Sequence, residues 1–270
     1  MIKSLFKRSG AKPAAEVTST RSQPLNILVM GNSHVAALKA AWDKIKGRYE
    51  KEVKLVFFAS SSSTMLDTYQ SDYSLLPKTQ QVKNSWEITS GGFTQIDFSQ
   101  FDLVLIHGPV ERLSVTAKRL RSLKQGNFVS QQFLDKALVH SRPLATHLIE
   151  AAKVSFKGPV IITSRPNILV PRDSEERKVD KDKVERNYRR VTQRMANACK
   201  REGLIFMPQP LETLHNLNQT KREFGDKAIG LGEKPLKNKV KFIEGDDQQH
   251  MNREYGEVVL KQLLELCRST

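Results

Sequence analysis

The chain is short of cysteine, of long apolar runs and of negative charge, and each shortage excludes something. Of 270 residues only Cys199 and Cys267 are cysteines, with no C-x-x-C spacing and no histidine cluster beside either. A disulfide framework and a zinc site are therefore not expected, and the reading assigns no metal ligand and no cofactor. No stretch approaches the roughly 20 apolar residues that a membrane helix needs. Residues 1–24, MIKSLFKRSGAKPAAEVTSTRSQP, carry Lys3, Lys7, Arg8 and Lys12 but lack the apolar block of a secretory signal. They read as a disordered basic tail with weak affinity for anionic lipid, ahead of one domain spanning 25–270. The expectation is a cytoplasmic protein. Lys and Arg number 44 against 29 Asp and Glu, a formal charge of +15, which favours anionic ligands or acidic partners.

Aromatic residues are scarce where the positive charge is densest. Between Arg172 and Arg201 basic side chains alternate with acidic ones, as in EERKVDKDKVERNYRR, and Tyr188 is the one aromatic. This is the pattern of a solvated helix laced with i,i+4 pairs rather than of a base-stacking platform. Nucleic acid is not the expected partner.

Present instead are five short apolar runs separated by longer segments of helical period. The runs are Asn26 to Met30, Val53 to Phe58, Leu103 to His107, Val160 to Thr163 and Leu204 to Met207. Such alternation predicts an α/β fold, a three-layer α/β/α sandwich around a five-stranded, mostly parallel sheet of flavodoxin-like type. Residues 131–156 read as one helix bent near Pro143. The region 60–100 is polar, with a hairpin turn expected at Gly91 and Gly92, and 208–245 is irregular. In open α/β sheets the ligand sits beyond the carboxyl ends of the strands, so both regions are expected to frame a substrate. His140 and His147 read as packing or surface residues, and Trp42 and Trp86 as core or loop anchors.

The first run ends in Gly31-Asn32-Ser33-His34. A serine between strand and helix is an ordinary N-cap, and at the end of a strand it is equally a candidate nucleophile. Far along the chain, Asp247 precedes His250 by three residues, just ahead of the last amphipathic segment. A carboxylate at that spacing can hold the Nδ1 side of the imidazole and leave Nε2 to take a proton from a hydroxyl.

Together these stretches resemble the SGNH hydrolases, also called the GDSL family. Gly31-Asn32-Ser33 resembles that family's G-D-S block, with Asn for Asp and with His34 following as in its G-[DN]-S-H variant. Asp247-Gln248-Gln249-His250-Met251-Asn252, followed by Gly256, resembles its D-x-x-H block. The resemblance spans roughly residues 25–268. It implies a serine esterase with Ser33 as nucleophile, His250 as general base and Asp247 as its orienter, acting through an acyl-enzyme on an O-acylated, for example O-acetylated, carbohydrate. An acyl transferase, or an SGNH-fold binding protein that docks an acidic partner on its basic face, is the alternative.

The family draws its oxyanion donors from the serine N–H, from a glycine after the second strand and from an Asn in a G-x-N-D block. Here FFASSSSTM has no glycine, which leaves backbone around Ser61. Gly108-Pro109-Val110-Glu111 puts Val110 where the Asn stands, and valine donates nothing. Loss of one such donor typically costs about two to three orders of magnitude in rate. The candidate substitutes are Asn32, His34 and His107, and the oxyanion and substrate-binding set is Asn32, His34, Ser61, Gly108 and Arg165, the last at the end of the fourth apolar run.

Overall fold

The structure is a computed structural model that describes residues 23–61, 63–123, 130–174, 179–231, 241–242 and 247–269. The basic tail, but for its last two residues, lies outside the described residues, as do residues 175–178 of the basic segment and most of 232–246.

Five parallel strands, β1 (Leu25–Gly31), β2 (Val53–Ala59), β3 (Leu103–Val110), β4 (Val160–Ser164) and β5 (Ile205–Met207), pair in the order β2-β1-β3-β4-β5. The inner strand β1 has covered faces on both sides, which is why its sequence is continuously apolar instead of alternating. Ile27 and Val29 enter one layer, Leu28 and Met30 the other, and all four are fully buried.

Helices α1 (Val35–Ile45) and α7 (Arg253–Ser269) cover the Ile27 face. Helices α2 (Gln80–Ser90), α3 (Leu113–Leu123), α4 (Gln131–Val139), α5 (Pro143–Ser155) and α6 (Lys181–Arg201) cover the Leu28 face, burying among others Trp86, Leu113, Leu138, Leu148 and Met195. The result is an α/β/α sandwich. Because β2 and β3 flank β1, the chain leaves the first strand in one direction and returns on the other side. The carboxyl end of β1 is thus a topological switch point, where α/β sheets open a crevice.

Three local expectations need correction. The segment 131–156 is two helices, not one bent helix. Pro143 occupies the first turn of α5, and its ring disfavours helical backbone at the residue before it, so Arg142 is extended (φ −145°, ψ 148°). His140 closes α4 and His147 lies in α5, so the two do not share a helix. Gly91 and Gly92 are not a hairpin turn but the end of α2. Gly91 is left-handed (φ 82°) and both glycine N–H groups turn back to the Glu87 carbonyl. Helix α2 itself interrupts a region read as irregular, capped at its start by the Thr79 hydroxyl on the Val82 N–H. Around it, strands Thr68–Ser71, Ser74–Pro77 and Ile96–Asp97 form a small antiparallel sheet.

The basic helix α6 starts at Lys181, with the Asp180 carboxylate accepting from the Lys183 N–H. It buries Val191, Met195, Ala198 and Cys199 and turns its charges outward, with Arg189 on Glu185 and Arg201 on Asp135. Both cysteines are free thiols. Trp42 and Trp86 are buried in opposite layers. Among the described residues no helix is long and apolar enough to cross a membrane.

The layer of α1 and α7 is packed backbone to backbone. A Cβ on Gly256 would lie 2.2 Å from the Ala37 carbonyl oxygen and 2.9 Å from the Ala41 Cβ. Gly256→Ala is therefore expected to push the two helices apart and lower stability by about 1–3 kcal/mol, read as a fall in denaturation midpoint at unchanged slope.

Candidate active site

Ser33 stands in the turn between β1 and α1. Gly31 ends the strand because a Cβ there would sit 2.1 Å from the His107 carbonyl oxygen on β3. The Asn32 side chain then shapes the turn: its Oδ1 accepts from the His34 N–H at 3.2 Å and its Nδ2 donates to the Gly108 carbonyl at 3.3 Å. The residue flanking α1 at the cap position is His34, without a side-chain capping bond. Ser33 is one position earlier, and its hydroxyl lies 2.8 Å from His250 Nε2.

His250 belongs to a loop tied down on several sides. The Gln248 carbonyl accepts from the Leu169 N–H (3.0 Å), the Met251 carbonyl from the Ile229 N–H (3.0 Å), and the Asn252 N–H donates to the Phe224 carbonyl (2.8 Å). The Asn252 amide donates to the Glu223 and Asp226 carbonyls while its oxygen accepts from the Tyr255 N–H, capping α7. Asp247 completes the chain of contacts, with Oδ2 2.5 Å from His250 Nδ1 and Oδ1 accepting from the Gln249 and His250 N–H groups at 2.7 and 3.2 Å. Burial alone would raise its pKa, but these donors and the imidazole outweigh that and hold the carboxyl below its ordinary value.

Asn32, Ser33, His34, Ser61, Arg165 and His250 line one open cleft of about 410 Å³, with Arg142, Gln249 and Leu231 among the other walls. Region 60–100 reaches it through Ser61, Ser63 and Leu66, and region 208–245 through Gly230 and Leu231. Gly108 is not in the wall but beneath it. Left-handed (φ 81°), it packs so closely under the turn that a Cβ would lie 3.0 Å from Asn32 Oδ1, and its N–H is engaged by the Thr163 hydroxyl at 3.1 Å. Val110 continues β3 opposite Ser164, fully buried in the core. A G-x-N-D loop is absent there because the strand, shifted in register after Ile106, runs on through Val110.

Sequence reasoning missed Arg142, Gln249 and Arg112, which gather from three separate loops. Gln249 Oε1 accepts from Arg165 (2.9 Å) and from Arg112 (3.4 Å), and Arg112 also donates to the Pro166 carbonyl. The one local signal was that Gln249 directly precedes His250. Arg165 Nε donates to His34 Nε2 at 3.1 Å, so the His34 proton sits on Nδ1, which is buried without a partner among the described residues. Burial, then Arg165, His250, His107 and Arg112, push the His34 pKa far below its ordinary value, and the ring is neutral. Its centroid is 5.1 Å from that of His250. His107 lies deeper, its Nδ1 2.8 Å from the Thr163 hydroxyl, and burial lowers its pKa from 6.5 to about 3. His140 and His147 stand apart from this cluster, the latter 2.6 Å from the Thr68 hydroxyl. Among the described residues no group of His, Cys, Asp and Glu is arranged to hold a metal ion.

No protein-family model and no curated protein matches the chain. Among solved structures, the periplasmic domain of a lipopolysaccharide acetyltransferase from Salmonella serovar Paratyphi A is similar over 92% of this chain and 85% of that one, at 12% identity and a TM-score of 0.43. A gut microbial diltiazem-metabolizing enzyme is similar over 72% of this chain and 38% of that one, at 8% identity and a TM-score of 0.30.

The buried neutral histidines make stability depend on pH. A depressed imidazole is neutral in the fold and protonates in the unfolded chain below 6.5, so its contribution is complete above that value. It is lost as the pH falls toward about 3, at up to about 1.4 kcal/mol per pH unit per group. The stability lost between pH 7 and pH 5, measured by denaturant titration, is expected to be smaller in His107→Asn than in the wild type.

Proposed function

We propose that the chain is a serine-dependent enzyme of ester chemistry. One observation carries this reading: a hydroxyl, an imidazole and a carboxylate in line, with Ser33 Oγ 2.8 Å from His250 Nε2 and His250 Nδ1 2.5 Å from Asp247. An N-cap serine would turn its oxygen to an N–H of α1. This one faces a base held by a carboxylate, at the mouth of a cleft.

In the first half-reaction Ser33 Oγ attacks the ester carbonyl carbon while its proton passes to His250 Nε2. The tetrahedral intermediate collapses, the alkoxide leaves with that proton, and the acyl group stays on Ser33. In the second half, water or another hydroxyl gives its proton to His250 and attacks the acyl carbon, and Ser33 recovers its proton. Water makes the chain a hydrolase and a second alcohol makes it a transferase. Asp247 stays ionised throughout and stabilises the imidazolium. The Gly108 N–H and one N–H of the Asn32 amide are engaged elsewhere, which leaves the oxyanion to the N–H of Ser33, to backbone beside Ser61 and to the second Asn32 N–H. The resemblance of the first and last blocks to SGNH hydrolases supports an O-acylated carbohydrate as the acyl donor.

A fluorophosphonate probe is expected to label the wild type and not Ser33→Ala. With 4-nitrophenyl acetate, Asp247→Asn is expected to lower kcat by about 10⁴. Labelling that persists in Ser33→Ala, or an unlabelled wild type that leaves the ester intact, would refute the assignment.

A further inference from the structure

The cleft carries positive charge that the described residues neutralise only in part. Its described lining residues include Arg142 and Arg165 and no carboxylate. Arg165 spends its donors on neutral acceptors, the His34 ring and the Gln249 amide. Arg112 reaches the same amide oxygen from behind. The Arg142 guanidinium makes no hydrogen bond or ion pair with any described residue. Among the described residues two acids are nearby: Asp247, whose carboxylate is taken by the His250 ring and by the Gln249 and His250 N–H groups, and Glu111, whose Oε1 accepts from the Arg112 backbone N–H and whose charge offsets the cluster only in part. Burial, followed by Arg112 and Arg142, lowers the Arg165 pKa to about 10, as expected of a cation held among cations.

Half-buried guanidinium groups left without a counter-charge are costly, and a fork of donors fits carboxylate and phosphate oxygens two at a time. Extended Arg142 precedes the first turn of α5, whose Pro143 and Leu144 line the same cleft, so the positive end of a 13-residue helix adds to the field. We infer that the ester processed at Ser33 bears an anionic group, a carboxylate or phosphate, which Arg142 and Arg165 grip beside the reacting carbonyl. An incoming anion would replace the Gln249 oxygen on Arg165 and supply the partner that Arg142 lacks among the described residues. The inference rests on Ser33 being the nucleophile, and it narrows the substrate to acidic esters, such as acylated acidic sugars.

Pairs of a charged and an uncharged ester test this on the full chain. 4-Nitrophenyl hemisuccinate against 4-nitrophenyl acetate places the charge on the acyl side, and mono-O-acetyl glucuronate against the mono-O-acetyl methyl glucoside places it on the alcohol side. In at least one pair the charged member is expected to have a kcat/KM higher by about tenfold or more, with the preference lost in Arg142→Gln chiefly through KM. The pair that responds identifies which side carries the charge. Equal rates within both pairs, or a preference that survives Arg142→Gln and Arg165→Gln, overturn the inference. Calorimetric titration of Ser33→Ala with glucuronate and with inorganic phosphate separates the two ideas. Binding that disappears on adding Arg142→Gln supports the anion site even if no ester is cleaved, whereas cleavage without charge preference or anion binding removes the site and leaves the nucleophile.

Discussion

The contact between α1 and α7 across Gly256 is the constraint on which the candidate site hangs. Ser33 lies two residues before one helix and His250 three residues before the other, 217 positions apart in sequence, yet their side chains meet at 2.8 Å. Two stiff helices whose backbones touch at Ala37 leave little freedom for their leading ends to drift. A reacting pair misplaced by about 1 Å can lose two orders of magnitude in rate, so close packing some way from the chemistry becomes part of it. The loop bonds from Leu169, Ile229 and Phe224 fix the rest, holding residues 247–252 from the side that the helices do not reach.

The sheet, and the serine, histidine and aspartate, were legible in the sequence because each leaves a local trace. The five strands are apolar runs bounded by helical segments, and the first ends at a glycine that the close approach of β3 requires. Asp247 and His250 are three residues apart, a spacing that chemistry reads without knowing the fold. Helix α2 was hidden because Val82 and Trp86 stand among polar neighbours, and its closing glycines imitate a turn. The break between α4 and α5 was half visible: Pro143 marked the place, but not that extended Arg142 would end one helix and open another. Val110 misleads in the opposite way, since it stands at a motif position by alignment while the shifted register of β3 sends it into the core.

The arginine cluster was illegible for a different reason. Arg112, Arg142 and Arg165 follow β3, precede α5 and follow β4, and no pattern along the chain links them. They converge because successive parallel strands deliver their carboxyl ends to one rim. Around them the protein keeps two imidazoles neutral and spends guanidinium donors on an amide and a ring, so the charge faces solvent. The +15 of the whole chain says only that anions are welcome somewhere. The fold gathers three of those charges at one rim.

Gly31 and Gly108 press from two sides against the backbone that carries Ser33, one because β3 leaves no room for a side chain and one because its left-handed turn supports Asn32 and His34. That floor cannot be altered by a single substitution without moving the serine. The opposite rim, made of Ser61, Leu66, Leu144 and Leu231, belongs to segments that carry no strand of the central sheet. Divergence in what the cleft accepts is therefore channelled to one side: a fixed anvil of glycine and sheet, and a replaceable rim that can change without disturbing it.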